Sequence, residues 1–324
     1  MALDLDPQKF GAENILLAPL SAIYYIGWMG YEAVYRAGLR RPLIPKIPVV
    51  VVGNLTVGGM GKTPTTLAVC RLLREIGLLP VISASGYGAP RSEAATLAPS
   101  GALSASEWGD EPALMRWLEP ELQIIVGRRR TLAAQICAES FPNGVLVMDD
   151  GYQHKPLQHD ISILLDLERV SNALVLPGGP YRQPRAHRSR ADYLLPGSFN
   201  LKHHGTMFLD AKGHEIAFTP QDIQVLTAIS KPHRLLTTLD ALGFRTLRSR
   251  HLPDHDKLTR PDLFKPFIQQ LPIVVTSKDW VKIRERTDLD GWTFQVAHYR
   301  VTIEPYEEFK SSLAAKLEEL RRKR

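Results

Sequence analysis

Residues Val49 to Thr66 read V-V-V-V-G-N-L-T-V-G-G-M-G-K-T-P-T-T. The apolar run Ile47 to Val52 is short, β-branched and without alternation, the pattern of a strand buried on both faces of a parallel sheet. A glycine-rich turn follows, and Pro64 suits the first turn of a helix, where its missing N–H costs nothing. That helix continues through Leu67, Leu72, Leu73 and Ile76 and stops at Gly77. Strand, glycine turn, Gly-Lys-Thr and helix together describe a phosphate-binding P-loop. Thr56, Val57, Gly58, Gly59, Met60 and Gly61 would wrap the phosphates with backbone N–H groups, and Pro64 opens the helix whose N-terminus adds positive potential. Lys62 would neutralise the β/γ oxygens, and Thr63 offers a hydroxyl to Mg²⁺. The general motif G-x-x-x-x-G-K-[ST] has glycine where this chain has Thr56. The plainer alternative is a glycine-rich βα turn with an exposed lysine.

About 85 residues further on, Gly144 to Asp150 reads G-V-L-V-M-D-D. An apolar strand ending in Asp149 and Asp150 is the Walker-B arrangement that anchors Mg²⁺ or its waters. Gly151-Tyr152-Gln153-His154 then lies at the strand's carboxyl end, which makes Gln153 and His154 candidate nucleotide contacts. By itself an Asp-Asp pair ending a strand suits a simple turn. His154, His159 and Asp160 match no familiar transition-metal spacing.

The chain of 324 residues can hold a full core and two domains. With 44% hydrophobic and 23% charged residues it is ordinary for a globular protein, without repeats or low-complexity tracts. Cys70 and Cys137 sit in apolar helical patterns as small core residues, so nothing points to an oxidising compartment. The net charge of +6 and pI near 9.3 could signal nucleic acid. The basic residues occur in local knots, however, outside any recognisable nucleic-acid module. An anionic membrane or a phosphorylated substrate explains them equally well.

Ile15 to Tyr31 is a run of 17 uncharged residues interrupted by Pro19. As a helix it reaches about 26 Å, short of a hydrocarbon core of roughly 30 Å. Tyr24, Trp28, Tyr31 and Tyr35 form one aromatic stripe, followed by Arg36, Arg40, Arg41 and Lys46. Asp4 and Asp6 argue against a signal peptide. Aromatics at headgroup level with basic residues behind them suit an interfacial helix, with the catalytic part in the cytoplasm. The competing reading is a helix packed on the domain or on a partner.

Elsewhere the pattern is alternating α/β. Strands are expected at 80–83, 122–126, 161–166, 225–229, 244–247 and 273–276, and Ala191 to Leu195 closes the first unit. Helices are expected after Trp108-Gly109-Asp110-Glu111-Pro112, after Arg128-Arg129-Arg130, over 233–242, from near Pro261, and over Pro305 to Arg324. Met207 to Leu209 and Ile216 to Phe218 read as a two-stranded ribbon. From residues alone Asp110 is a cap at a helix start, and the arginine triplet is a solvated face. Pro177 to Pro184 is a rigid loop carrying Arg182.

Several separated segments resemble the tetraacyldisaccharide 4′-kinase family of lipid A biosynthesis, over nearly the whole length. They are V-G-N-L-T-V-G-G-M-G-K-T-P (Val52 to Pro64), G-Y-G (Gly86 to Gly88), G-D-E-P (Gly109 to Pro112), D-D-G-Y-Q-H (Asp149 to His154) and G-G-P-Y-R-Q-P (Gly178 to Pro184). R-A-D (Arg190 to Asp192), L-P-D-H (Leu252 to His255) and T-S-K-D-W-V-K (Thr276 to Lys282) add to them. The family's own loop carries threonine where Thr56 stands. Three positions depart: Ser85 for the arginine before G-Y-G, Gln183 for glutamate, and Ser277 for glutamate.

The resemblance implies a P-loop NTPase-like αβα domain, a smaller second αβα domain joined by a two-stranded β-ribbon, and an N-terminal membrane-associated helix. The expected division is 1–40, 41–200 and 201–324. The implied activity is ATP- and Mg²⁺-dependent phosphorylation of an acylated glucosamine disaccharide 1-phosphate at the membrane's inner leaflet, with no nucleic acid and no obligate protein partner. In the family the aspartate of G-D-E-P acts as base with the histidine of P-D-H, which maps to Asp110 and His255 beside Lys62. Thr63, Asp149 and Asp150 map to the metal, Gln153 and His154 to the nucleotide, and Arg182 and Tyr87 to the acceptor. The principal rival is a membrane-recruited regulatory ATPase resembling the MinD/ParA class, whose signature loop lysine would fall at Val57.

Overall fold

Val49, Val50, Val51 and Val52 are fully buried because the strand they form has a parallel neighbour on each side. In this computed structural model residues 7–254 and 256–324 are described. The strands are β1 (Val49–Asn54), β2 (Leu79–Ala84), β3 (Thr96–Leu97), β4 (Gln123–Val126), β5 (Gly144–Asp149), β6 (Ile161–Leu165) and β7 (Tyr193–Leu195). Then come β8 (Asn200–Leu209), β9 (Glu215–Ile216), β10 (Asp222–Thr227), β11 (Arg245–His251), β12 (Ile273–Thr276) and β13 (Phe294–Glu304). The helices are α1 (Ala12–Arg36), α2 (Lys62–Glu75), α3 (Ala105–Trp108), α4 (Asp110–Leu118), α5 (Arg130–Ser140), α6 (Pro232–Ala241), α7 (Ser277–Ile283) and α8 (Tyr306–Lys323).

The chain divides into two compact units. The first comprises Met1–Ser85, Arg129–Lys202 and Thr302–Arg324; the second comprises Gly86–Arg128 and His203–Val301. In the first unit five strands run in the order β2-β5-β1-β6-β7, all parallel. Parallel strands need crossovers, and α2 and α5 supply two of them. The C-terminal helix, expected with the smaller domain, falls in the first unit. It buries Phe309, Leu313 and Leu317, sets Phe309 against the Tyr193 ring at 4.9 Å, and pairs Lys316 with Asp192 at 2.7 Å.

In the second unit β3 pairs antiparallel with β4, and six strands run in the order β11-β10-β12-β13-β8-β9. The core gathers Phe208, Ile223, Val225, Leu239, Phe244, Val274 and Ala297. Met207 to Leu209 and Ile216, expected in a ribbon, lie in the antiparallel β8–β9 pair, with Phe208 opposite Ile216, at the edge of that sheet. The T-S-K-D-W-V-K segment is a buried brace: Asp279, fully buried, accepts from Thr227 and Thr276 at 2.7 Å each and stands 3.3 Å from Lys282. One expectation fails here, and one strand is unexpected. The stretch after Pro261 forms turns rather than a helix, because Pro266 lacks a donor and biases Lys265 away from helix. Strand β13 was not foreseen, although Val296, Val301 and Ile303 are buried along it.

Candidate active site

Strand β1 delivers the chain to the loop at Asn54, and α2 begins eight residues later at Lys62. The turn between them uses left-handed backbone at Gly58 (φ 98°) and Gly61 (φ 80°), which glycine adopts at little cost. Thr56 replaces the motif's usual glycine and is itself used. It is 2% exposed, and its hydroxyl accepts from Asn54 Nδ2 at 3.1 Å. The same Asn54 accepts from Lys62 Nζ at 3.1 Å. Thus the strand's last residue orients both loop threonine and loop lysine.

The second strand end meets the first helix. Asp149, 5% exposed, accepts from Thr66 Oγ1 at 2.9 Å and from Thr63 Oγ1 at 3.3 Å. Its backbone carbonyl accepts from Arg130 Nη2 at 2.8 Å, while Nη1 reaches Ser83 Oγ at 2.9 Å. The arginine triplet is therefore only partly a solvated face: Arg128 and Arg129 are exposed, but Arg130 is 4% exposed and props the strand end beneath the site. Asn54, Thr66 and Arg130 are the site residues that sequence reasoning missed. For Arg130 the one available signal was its place at the first turn of α5, directly after a βα loop.

Asp150 takes a left-handed backbone (φ 54°), which turns its carboxylate toward Lys62 Nζ, 3.5 Å away. Arg182 Nη1 lies 3.0 and 3.1 Å from its two oxygens. The loop carrying Arg182 is stitched to the glycine loop. Val57 N–H donates to Pro180 O at 2.8 Å, and Arg182 N–H donates to Leu55 O at 2.7 Å. Gln153 Nε2 donates to Asn54 O at 2.7 Å.

Beside these groups opens a cleft of about 450 Å³ lined by Tyr24, Trp28, Val57, Gln153, His154 and Arg182, among others. Trp28 Nε1 and His154 Nε2 are buried there without a hydrogen-bond partner. A buried polar atom left unsatisfied costs about 1–3 kcal/mol, so a bound molecule with its own donors and acceptors fits this wall. Burial, with Arg130 nearby, pushes the His154 pKa down to about 4, so the imidazole is neutral near pH 7. Burial raises the Tyr24 hydroxyl pKa, against the opposing charge of Arg182.

For Mg²⁺, the Thr63 hydroxyl and Asp149 carboxylate are hard oxygen donors held together at the start of α2, and they fit that ion. Asp150 is turned instead toward Lys62 and Arg182. Among the described residues no group of three His, Cys, Asp or Glu side chains gathers as a metal site, which is compatible with a cation completed by phosphate oxygens.

The loop from Thr56 to Pro64, together with Asp149, Asp150, Gln153, His154 and Arg182, is thus assembled within the first unit. Asp110 and Tyr87 belong to the second unit. There the G-Y-G and G-D-E-P segments meet: a Cβ on Gly109 would stand 3.0 Å from Gly86 Cα. Asp110 opens α4, and the Tyr87 ring carries the Arg128 guanidinium 5.7 Å from its centroid. His255 lies outside the described residues.

A glycine loop between buried parallel strand and helix, a Lys-Thr pair at the helix start and a strand-end aspartate bonded to it define a P-loop nucleotide-binding protein. Its loop matches the kinase-type sequence quoted above, without the extra lysine of the regulatory ATPases. The chain belongs to the tetraacyldisaccharide-1-P 4′-kinase family, whose model matches residues 13–318. A tetraacyldisaccharide 4′-kinase of Shewanella baltica strain OS185 is 31% identical over 319 residues, covering 94% of this chain and 91% of that protein. One from Acidovorax ebreus is 34% identical over 291 residues, covering 85% and 84%. A crystal structure of LpxK from Aquifex aeolicus in complex with ATP shares the fold, with a TM-score of 0.81 at 24% identity over 94% of this chain and 99% of that one.

Proposed function

We propose that this kinase transfers the γ-phosphoryl group of ATP to the 4′-hydroxyl of a tetraacylated glucosamine disaccharide 1-phosphate, forming lipid IVA. The observation that carries the reading is the joined set Asn54–Lys62–Asp150 and Thr63–Asp149 at the ends of two adjacent strands. Lys62 and the loop N–H groups hold the phosphates and disperse their charge, which supplies most of the catalysis in phosphoryl transfer. Thr63 and Asp149 would hold Mg²⁺, which when bound neutralises charge on the β/γ oxygens. In the step itself the 4′ oxygen forms a bond to the γ-phosphorus, the bond from that phosphorus to the β-bridging oxygen breaks, and the hydroxyl proton passes to a carboxylate. Asp110 is the base in this reading, with His255 orienting it; the support is the match of G-D-E-P and L-P-D-H to the family's segments.

The acceptor's acyl chains keep it in a bilayer, at roughly 0.8 kcal/mol per buried CH₂, so the enzyme works at the surface. Helix α1 supports this. Its apolar residues Ile15, Leu16, Leu20, Ile23, Ile26 and Met29 are exposed, whereas Asn14, Ser21 and Glu32 are buried. Among the described residues no helix is long and apolar enough to cross a membrane. The proposal is therefore a peripheral or monotopic protein, lying on the cytoplasmic face of the inner membrane.

The test is transfer of γ-labelled phosphate from ATP to tetraacyldisaccharide 1-phosphate in mixed micelles. A labelled lipid that requires Mg²⁺ and Lys62 is the expected result; release of free phosphate with no lipid product overturns the reading. Within it, Asp110→Ala should lose at least about tenfold in turnover with nucleotide affinity retained. Undiminished turnover would remove Asp110 from the mechanism.

A further inference from the structure

Helix α1 is amphipathic with its polar side turned inward. Asn14 Nδ2 donates to Gly178 O at 3.0 Å. Ser21 Oγ donates to Val175 O and accepts from Gly178 N, both at 2.8 Å. Gly178 has no alternative residue here, since a Cβ would stand 2.6 Å from Ser21 Oγ and 3.1 Å from Asn14 O. Further along, Tyr24 Oη donates to the Arg182 carbonyl at 2.8 Å. At the helix's far end the buried Glu32 meets Arg190 at 2.9 Å, Lys155 at 3.6 Å and His187 at 3.7 Å.

Of these contacts the Tyr24 bond falls on Arg182, a residue that is also bonded to the glycine loop and to Asp150. The Arg182 carbonyl is held by α1, its N–H by Leu55 at the head of the glycine loop, and its guanidinium by Asp150, the partner of Lys62. A surface anchor needs no such hydrogen bonds, because its apolar face suffices for membrane binding. We infer that Tyr24 is a positioning residue: from α1 it fixes the backbone of Arg182, and through it the Asp150 carboxylate that places Lys62. This deepens the kinase reading and rests on it for the identity of the reaction. The polar side of α1 is then a wall of the nucleotide site, while its apolar side is free for the bilayer.

A double-mutant cycle on the full-length protein tests this, using Tyr24→Phe, Arg182→Ala and the pair. Tyr24→Phe removes one hydroxyl and keeps the ring. It should weaken binding of a fluorescent ATP analogue by about three- to tenfold, and Arg182→Ala should weaken it more. The double variant should bind like Arg182→Ala alone, because a residue acting through another adds nothing once that other is gone. Co-sedimentation of Tyr24→Phe with anionic vesicles should stay unchanged. Unaltered nucleotide binding in Tyr24→Phe overturns the inference. So do effects that multiply in the double variant, or a loss that tracks vesicle binding. Since nucleotide binding is read without acceptor, a wild-type protein that binds ATP but labels no lipid would sink the proposed function and leave this cycle readable.

Discussion

Lys62 and Asp150 form an ion pair across the glycine loop, Nζ 3.5 Å from Oδ2. The lysine is thus folded back onto the loop and not extended into solvent, with Asn54 Oδ1 and Gly58 O also accepting from its Nζ. Lys62→Met should preserve the fold, since methionine keeps an unbranched stem at a site already freed of close packing by the glycine loop. Turnover should fall by at least about a hundredfold, measured as labelled phosphate transfer to lipid; a variant within threefold of wild type would show that the loop N–H groups suffice.

Arg130 is a buried cation that holds the Asp149 carbonyl and Ser83. Arg130→Met removes the charge while keeping much of the volume, but leaves the carbonyl without its donor. The expected cost is about 2–4 kcal/mol in urea unfolding. A change below about 0.5 kcal/mol would mean that the strand end is held by its ladder alone.

His154 gives stability a defined pH dependence. Its pKa is about 4 in the folded protein against an ordinary value of 6.5. Between those values the unfolded chain binds a proton that the folded one does not, so stability rises with pH there. The wild type should therefore lose stability as pH falls from about 6.5 to about 4, and His154→Gln should lose less over the same interval. Parallel melting-temperature curves for the two proteins would show that the imidazole titrates normally.

The outward face of α1 carries Ile23 at 66% and Ile26 at 68% exposure. Burial of one such side chain contributes about 1.5–3 kcal/mol, so replacing both with aspartate should cut vesicle partitioning by more than about tenfold. ATP binding should survive, because neither side chain lines the cleft. Loss of nucleotide binding together with partitioning would instead show that these substitutions unseat the whole helix.

Much of the first unit was legible because parallel strands buried on both faces write themselves as unbroken apolar runs: Val49 to Val52 and Val145 to Met148 need no partner to be recognised. The glycine loop was legible because few arrangements want Gly-Lys-Thr between strand and helix. Arg130 was hidden because an arginine's burial depends on what lies across from it, and Ser83 and Asp149 are distant in sequence. Strand β13 was hidden by His298, a polar residue at a buried position, and by the exposed Tyr299 and Arg300, which break the apolar run. The orientation of α1 was legible only in part: an interfacial helix was expected with its aromatic stripe at headgroup level, whereas Tyr24 and Trp28 line the cleft and Ile23 and Ile26 face outward.

That orientation bears on how the enzyme should be assayed. On the membrane seating proposed above, the protein meets its acceptor as a solute of two dimensions, so encounter depends on how densely the acceptor populates the surface. Rates in mixed micelles should follow the mole fraction of acceptor in the micelle. Adding detergent at fixed total acceptor should slow the reaction by surface dilution, even though the bulk concentration has not changed.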